Sequence, residues 1–271
     1  MKQALKSALP TPVLQFARDT YDAFRRIPQL PSAYFHPWRR ESIRRLAELK
    51  DVHKGKRAFI IGNGPSLRQT DLTKLKNEFT FGMNRIYLLF PEIGFHTTYF
   101  CATNDLVIEQ FHEDILALPM PRFLAWRSHR HFSPTLQLSN LPTFVFTSYT
   151  GPRFSPDVRG RVWEGATVTN LALQLAFHMG FGQAILIGVD HNFTSKGDAN
   201  KTVVSQGDDP NHVHPNYFGK GIKWQLPDLD TSEIGYAFAR DAYQKAGREV
   251  LDATVGGKLT VFPKVNYNSF F

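Results

Sequence analysis

The chain has one cysteine, Cys101, in 271 residues, so an intramolecular disulfide and a four-cysteine zinc site are both excluded. It lacks any apolar run near the ~20 residues of a membrane-spanning helix. The longest apolar stretches, such as Ala184–Val189, have the length of strands. The opening residues have neither the compact apolar stretch nor the small-residue cleavage site of a signal peptide, which predicts a cytoplasmic protein. Repeats and low-complexity tracts are absent too. With 42% hydrophobic and 21% charged residues, the chain can bury a core and is not globally disordered. Its length suits one large domain, or one domain with a small appendage.

The formal net charge of +8 is unevenly placed. Residues 1–57 hold 13 basic and 5 acidic side chains, which is the whole excess; the remaining chain is balanced. The basic residues come in groups, Arg25-Arg26, Arg39-Arg40, Arg44-Arg45 and Lys54-Lys56-Arg57, and Val13, Leu14, Phe16, Tyr21, Phe24 and Ile27 are interleaved near helical spacing. Such a segment can lie on an anionic membrane surface, bind nucleic acid, or pack on the main domain with a solvated outer face. No zinc-finger or RNP-type signature supports nucleic acid, so none is expected as a partner.

The pattern predicts a basic helical segment over 1–54, with a helix at 39–50, and a second region over 55–271. That region reads as strands at 57–61, 79–83, 97–102, 122–126, 143–147 and 184–190, with short extended segments at 249–252 and 259–262. Helices are expected at 106–118, 167–179 and 232–246, and a polar amphipathic stretch at 71–77. A long polar loop over 194–223 has the length of a lid or binding loop. Alternating strands and helices imply an α/β fold, a doubly wound, mostly parallel, Rossmann-like sheet. In such sheets ligands bind beyond the carboxyl ends of the strands. Four places are nominated: Gly62–Ser66, Asn84, Asn104-Asp105 and Asp190, each polar or glycine directly after an apolar run.

Gly62-Asn63-Gly64-Pro65-Ser66 is neither a Walker loop nor G-x-G-x-x-G, because position 67 is Leu and no Lys-Ser/Thr pair follows. Two glycines in a tight turn still let backbone N–H groups approach a phosphate, and Asn63 and Ser66 offer side-chain hydrogen bonds. The alternative is a structural turn. Asn84 and Asn104 can read a base or ribose edge, or simply form turns. Asp105 and Asp190 can hold Mg²⁺ or a ribose hydroxyl; helix capping is the alternative, strongest for Asp105. Thr167 can cap the helix that follows it, leaving a helix N-terminus that favours an anion. His129 and His131 sit in a basic patch with Arg127 and Arg130, whereas His53, His96, His112 and His178 read as structural or surface residues. His212 and His214 lie in the polar loop. They can form a metal pair, although no third ligand is fixed by spacing, or either can serve as general base for an acceptor hydroxyl. Tyr217 can hydrogen-bond a leaving phosphate.

The run Ile60–Leu67, the strand ending at Asn84, and the block Gly165–Asp190 resemble two related groups. One is the bacterial family-42 sialyltransferases, which open with a near-identical Gly-Asn-Gly-Pro-Ser-Leu loop. The other is the MptE-like (DUF115) family, which includes an archaeal 6-hydroxymethylpterin diphosphokinase and flagellin-modifying glycosyltransferases. The resemblance covers residues 55–220 and leaves the first 54 outside. Gly165–Val168 and the helix after it look closer to the MptE-like pattern. Asn84, Asn104 and the loop histidine look closer to the sialyltransferases. The resemblance implies a CMP-sugar donor held by Gly62–Ser66, Asn84 and Asn104, a loop histidine as base (His214, with His212 nearly its equal), and Tyr217 on the phosphate. The second tyrosine of that family has no match here. The expectation is an inverting glycosyltransferase acting on a glycan or glycolipid acceptor, held peripherally at the inner face of a membrane by its basic segment. The alternatives are an ATP- and Mg²⁺-dependent diphosphokinase and a non-catalytic nucleotide-binding protein. The oligomeric state stays open.

Overall fold

Alternation within the apolar runs decides the architecture. In the run Arg57–Ile61, Ala58 and Ile60 enter one buried cluster, while Phe59 and Ile61 enter another. Ala184 and Leu186 join the first cluster, and Ile185 and Ile187 the second; Cys101 and Phe100 divide in the same way. A strand whose two faces are both apolar needs cover on both sides, as in a parallel sheet between two layers.

A computed structural model describes residues 11–149, 151–193, 197–207 and 209–271. The start of the expected basic segment and residues 194–196 and 208 of the expected polar loop lie outside the described residues. The strands are β1 (Arg57–Ile61), β2 (Phe79–Met83), β3 (Tyr99–Ala102), β4 (Arg122–Ala125), β5 (Thr143–Ser148), β6 (Arg161–Trp163), β7 (Gln183–Ile187), β8 (Thr202–Val204), β9 (Lys223–Gln225) and β10 (Glu249–Asp252). Eight of them form one sheet in the order β10-β7-β1-β2-β3-β4-β5-β6, with every pair parallel. The chain steps outward from β1 to β6 and then returns to lay β7 and β10 on the opposite side of β1. The order therefore reverses between β1 and β7, and the doubly wound expectation is met.

The helices are α1 (Thr11–Arg26), α2 (Leu30–Phe35), α3 (Pro37–Glu48), α4 (Phe90–Ile93), α5 (Asp105–Ala117), α6 (Val168–His178) and α7 (Leu229–Lys245). One face of the sheet is covered by α6 and α7, through Leu171, Leu175, Tyr236 and Tyr243. The other is covered by Leu67, Leu72, Leu75 and Leu89 from short 3-10 turns, and by Ile108 and Ile115 of α5. Trp38, Arg39, Ser42 and Leu46 of α3 are buried, and the Ser42 hydroxyl accepts the Phe144 N–H at 2.9 Å. His178 donates from Nε2 to the Leu46 carbonyl at 2.8 Å. Cys101 is buried and unpaired. No helix of the described residues is long and apolar enough to cross a membrane.

Three local expectations change. The 71–77 stretch is a single 3-10 turn, Leu72–Leu75, started by Asp71, whose carboxylate accepts the Thr73 N–H. Residues 259–262 form no strand, although Leu259 and Phe262 are buried; the only pairing nearby is an isolated bridge from Asp252 to Lys264. The polar 194–223 stretch carries the short strand β8, which pairs antiparallel with β9 at the end of the stretch, and three-residue strands give little apolar alternation to announce them.

Candidate active site

Two glycine-bearing loops leave the sheet side by side where the strand order reverses. Gly62 N–H donates to the Ile187 carbonyl at 2.8 Å, and Gly64 N–H donates to that of Gly188 at 2.9 Å. A Cβ on Gly62 would collide with the Gly188 carbonyl, and one on Gly64 with the Asp190 carboxylate. These glycines are required by the approach of the two loops to each other. Their amides, expected to face a phosphate, are engaged by the β7 loop. Asp190 is engaged as well: it accepts from the Ser66 N–H at 3.1 Å and the Ser66 hydroxyl at 2.6 Å. Pro65 opens the 3-10 turn Pro65–Gln69, so Pro65 and Ser66 shape the loop from behind rather than line an opening.

Two adjoining cavities of about 170 and 180 Å³ open beyond this rim. Gly62, Asn63, Gly64 and Asp190 line the first. Asn104 lines the second, and Asn84, Thr167, His212 and Tyr217 line both. Asp105 and His214 line neither.

Both rim amides carry a buried, unsatisfied oxygen. Asn63 Nδ2 donates to the Met83 carbonyl at 2.9 Å, and Asn63 Oδ1 is buried without a partner. Asn84 Oδ1 is also buried and unpartnered. Buried amide oxygens are normally paired, so two at one rim call for a ligand donor. The backbone there is strained. Asn84, Ala166 and His191 hold left-handed φ values of 50°, 56° and 53°, a conformation costing on the order of 1–3 kcal/mol for a residue other than glycine.

Helix amino ends supply the local field. Asn104 Oδ1 caps α5, accepting from Leu106 N–H at 3.0 Å and Val107 N–H at 3.4 Å. The capping expected of Asp105 falls to Asn104 because a cap must still be extended, as Asn104 is, whereas Asp105 is already helical. The Asp105 carboxylate is held by Ser128, Arg130 and His131 instead. Thr167 caps α6, accepting the Thr169 N–H at 3.3 Å. Asp228 caps α7 by accepting the Thr231 N–H at 3.1 Å, and it lines both cavities. Three helix N-termini thus meet at the cleft and favour negative charge there.

The expected basic patch is dispersed. His129 stacks on Trp126 with ring centroids 3.9 Å apart, Arg130 and His131 turn to Asp105, and Arg127 enters the second cavity. There its guanidinium pairs with the buried Glu164 and bonds the Thr147 hydroxyl and the Thr103 carbonyl. Burial works against the Arg127 charge, but the Glu164 carboxylate outweighs it and its pKa is raised. Tyr149 lines the same cavity; burial, then Glu164 and Asp228, push its pKa up to about 12. Sequence reasoning missed Arg127, Tyr149 and Glu164 as a group. Each stands one or two residues past the end of β4, β5 or β6. The strand-end rule that nominated Asn84 and Asn104 reaches them once those ends are located.

Of the two loop histidines, His212 reaches the cavities. The Val213 N–H donates to the Asn63 carbonyl at 2.8 Å, Arg68 donates to the Val213 carbonyl, and Arg85 donates to the Asn216 carbonyl at 2.8 Å, which pins residues 211–217 across the rim. His212 stacks on the buried Tyr217 at 3.9 Å, and its Nδ1 meets the Asp209 carboxylate at 2.7 Å. His214 accepts the Asn216 N–H on Nδ1 at 3.1 Å and lies outside both cavities. An imidazole whose Nδ1–H is held by a carboxylate carries its lone pair on Nε2, the arrangement of an oriented general base. Burial raises the Tyr217 pKa, so its phenol remains a donor.

A family model described as 6-hydroxymethylpterin diphosphokinase MptE-like matches residues 39–196, well over half of the chain, and begins within α3 rather than at residue 55. No curated protein sequence matches the chain. Among solved structures, the MAf glycosyltransferase from Magnetospirillum magneticum AMB-1 is 16% identical with a TM-score of 0.48, over 97% of this chain and 43% of that one. This chain therefore spans less than half of that protein. The sialyltransferase CstII from Campylobacter jejuni, in complex with the substrate analogue CMP-3FNeuAc, is 13% identical with a TM-score of 0.42, covering 79% of this chain and 87% of that one. A mammalian sialyltransferase in complex with Gal-beta-1-3GalNAc-ortho-nitrophenol is 12% identical with a TM-score of 0.37, covering 89% and 86%.

Proposed function

This chain belongs to the MptE-like family, and from that premise we propose that it is an inverting glycosyltransferase moving an acidic sugar from a CMP-type donor to a hydroxyl of a glycan or glycolipid. One observation carries the reading: His212, oriented by Asp209, stands where two cavities meet and lines both. A transferase needs that arrangement, with one compartment for the donor, one for the acceptor, and a base at the seam.

In this reading Asn63 and Asn84 offer their unpartnered amide oxygens to N–H or O–H donors of the nucleoside. The amino end of α6, Thr167 and the Tyr217 hydroxyl face the donor phosphate. His212 Nε2 takes the proton of the acceptor hydroxyl. The acceptor oxygen then bonds to the anomeric carbon while the bond from that carbon to the phosphate oxygen breaks, inverting the centre and releasing CMP. The charge that grows on the leaving phosphate is met by the helix dipole and the phenol O–H.

Calorimetric titration with CMP and with ATP tests the reading. CMP binding is expected, weakened in Asn84→Ala; His212→Ala keeps CMP binding and loses transfer by about 10²–10⁴-fold. Binding of ATP with none of CMP would reject it.

The family's description favours a second reading, an ATP-dependent diphosphokinase. The residues nominated for its Mg²⁺ fit poorly: Asp105 is held by Arg130 and His131, and Asp190 by Ser66. Release of AMP dependent on a hydroxymethylpterin would establish this reading in place of the first.

A further inference from the structure

The largest departure from ordinary surface chemistry lies at the β6 edge of the sheet, on α1 and the residues that follow it. Phe16, Tyr21 and Phe24 on α1, then Ile27, Tyr34 and Phe35, are all more than half exposed, with Phe35 at 79%. Val13, Phe16, Tyr21 and Phe24 recur at helical spacing, so they form a stripe rather than a scatter. Water-facing aromatics at this density mark an interaction surface. Beneath the stripe runs an open groove of about 730 Å³ between α1 and β5. Among the described side chains its lining is apolar except for Thr20, the exposed Arg161, and Arg26, which is buried against Ser148 and the Phe146 ring. The first 57 residues also carry the whole charge excess of the chain.

We propose that α1 and this groove dock on the surface of an anionic phospholipid bilayer, with the aromatic stripe at the acyl boundary and the exposed Arg25 and Arg161 on headgroup phosphates. The chemistry selects this occupant over the others. A second copy would bring the same basic segment face to face with itself, which like-charge repulsion opposes. A bilayer of anionic lipids supplies both an apolar layer for Phe16 and Phe24 and negative charge for the arginines. Tyrosine suits the boundary between them, because its ring is apolar and its hydroxyl is wet. The inference rests on this surface alone and is independent of the activity assigned to the cleft.

Vesicle co-sedimentation of the full chain tests it, with phosphatidylcholine vesicles and with vesicles of phosphatidylcholine and phosphatidylglycerol. Binding is expected to the mixed vesicles only, and to weaken as salt is raised. The charge-neutral double variant F16S/F24S is expected to lose roughly tenfold or more in partitioning. R25E/R161E is expected to lose the preference for phosphatidylglycerol. All four positions are exposed, so both variants should fold, and the thermal midpoint of each checks that they do. Equal sedimentation of wild type and F16S/F24S overturns the proposal. So does an absence of binding to either vesicle, and so does self-association in sedimentation velocity that F16S/F24S abolishes without any vesicle binding.

Discussion

The two ends of the sheet differ in what their unpartnered polar groups face. At the amino ends of the strands, Arg57 grips Glu78 through two nitrogens at 3.1 and 2.6 Å, Arg122 donates to the Leu116 and Asn140 carbonyls, and His53 bonds Tyr99 at 2.6 Å. His53 Nδ1, Thr97 Oγ1 and Arg122 Nε are buried there without a partner, and none of the three lines a cavity of the cleft. At the carboxyl ends, Asn63 and Asn84 also keep buried oxygens unpartnered, and Asn84, Ala166 and His191 hold left-handed backbones, but these residues line the cavities. An unsatisfied group beside a cavity can meet a ligand, whereas one enclosed by the fold cannot. The comparison separates an end that holds the fold from an end that is open to a ligand.

Breaking the ion pair beneath the second cavity should have the largest effect on the open end. Glu164→Ala leaves the Arg127 guanidinium without its carboxylate and should cost about 3–5 kcal/mol, read as a fall in the urea midpoint. Gly64→Ala should come next, losing about 1–3 kcal/mol because its Cβ must displace the Asp190 carboxylate. CMP binding should fall with it, since the β1 and β7 loops would separate. Ala166→Gly tests the strain from the other direction. Glycine accepts φ of 56°, which relieves about 1–3 kcal/mol of strain against about 0.4–1 kcal/mol lost to a freer unfolded chain, so the thermal midpoint should rise. A fall would refute the account of stored strain.

At the closed end, Arg57→Ala should cost only about 0.2–1 kcal/mol and leave nucleotide binding untouched, because the pair is partly solvated. The smallest effect is a pH dependence. Burial, helped by Lys56, lowers the His53 pKa below its ordinary 6.5. The unfolded chain therefore binds the proton more readily, and the contribution of His53 is fully present above about 6.5 and declines as the pH falls through that value toward the folded pKa. Urea midpoints at pH 7 and pH 5 should differ less in His53→Gln than in wild type.

Much of the closed, layered part was legible beforehand. Arg57–Ile61 and Phe79–Met83 are strands with the bounds their apolar runs predict, and Thr167 caps α6 as its position before an apolar helix predicts. The rim was legible only in outline. Gly62 and Gly64 announce a tight turn, but nothing local says that the turn is made against Gly188 and Asp190, more than a hundred residues away. The choice between His212 and His214 was equally closed to local reasoning, because it depends on the Val213 N–H meeting the Asn63 carbonyl and on Asp209 reaching the imidazole.

The sequence by itself determined seven of the eight strands of the large sheet (β6 excepted), the long helices, the two-sided core and the end of the sheet at which polar residues would gather, because periodic burial and strand-end chemistry are written in neighbouring residues. Only the tertiary structure decided which of those polar groups remain free. Asp105 and Asp190 were engaged by Arg130, His131 and Ser66, while the amide oxygens of Asn63 and Asn84 were left open to the cavities. Whether a donor or acceptor is satisfied depends on what the fold sets beside it, and those partners come from distant parts of the chain.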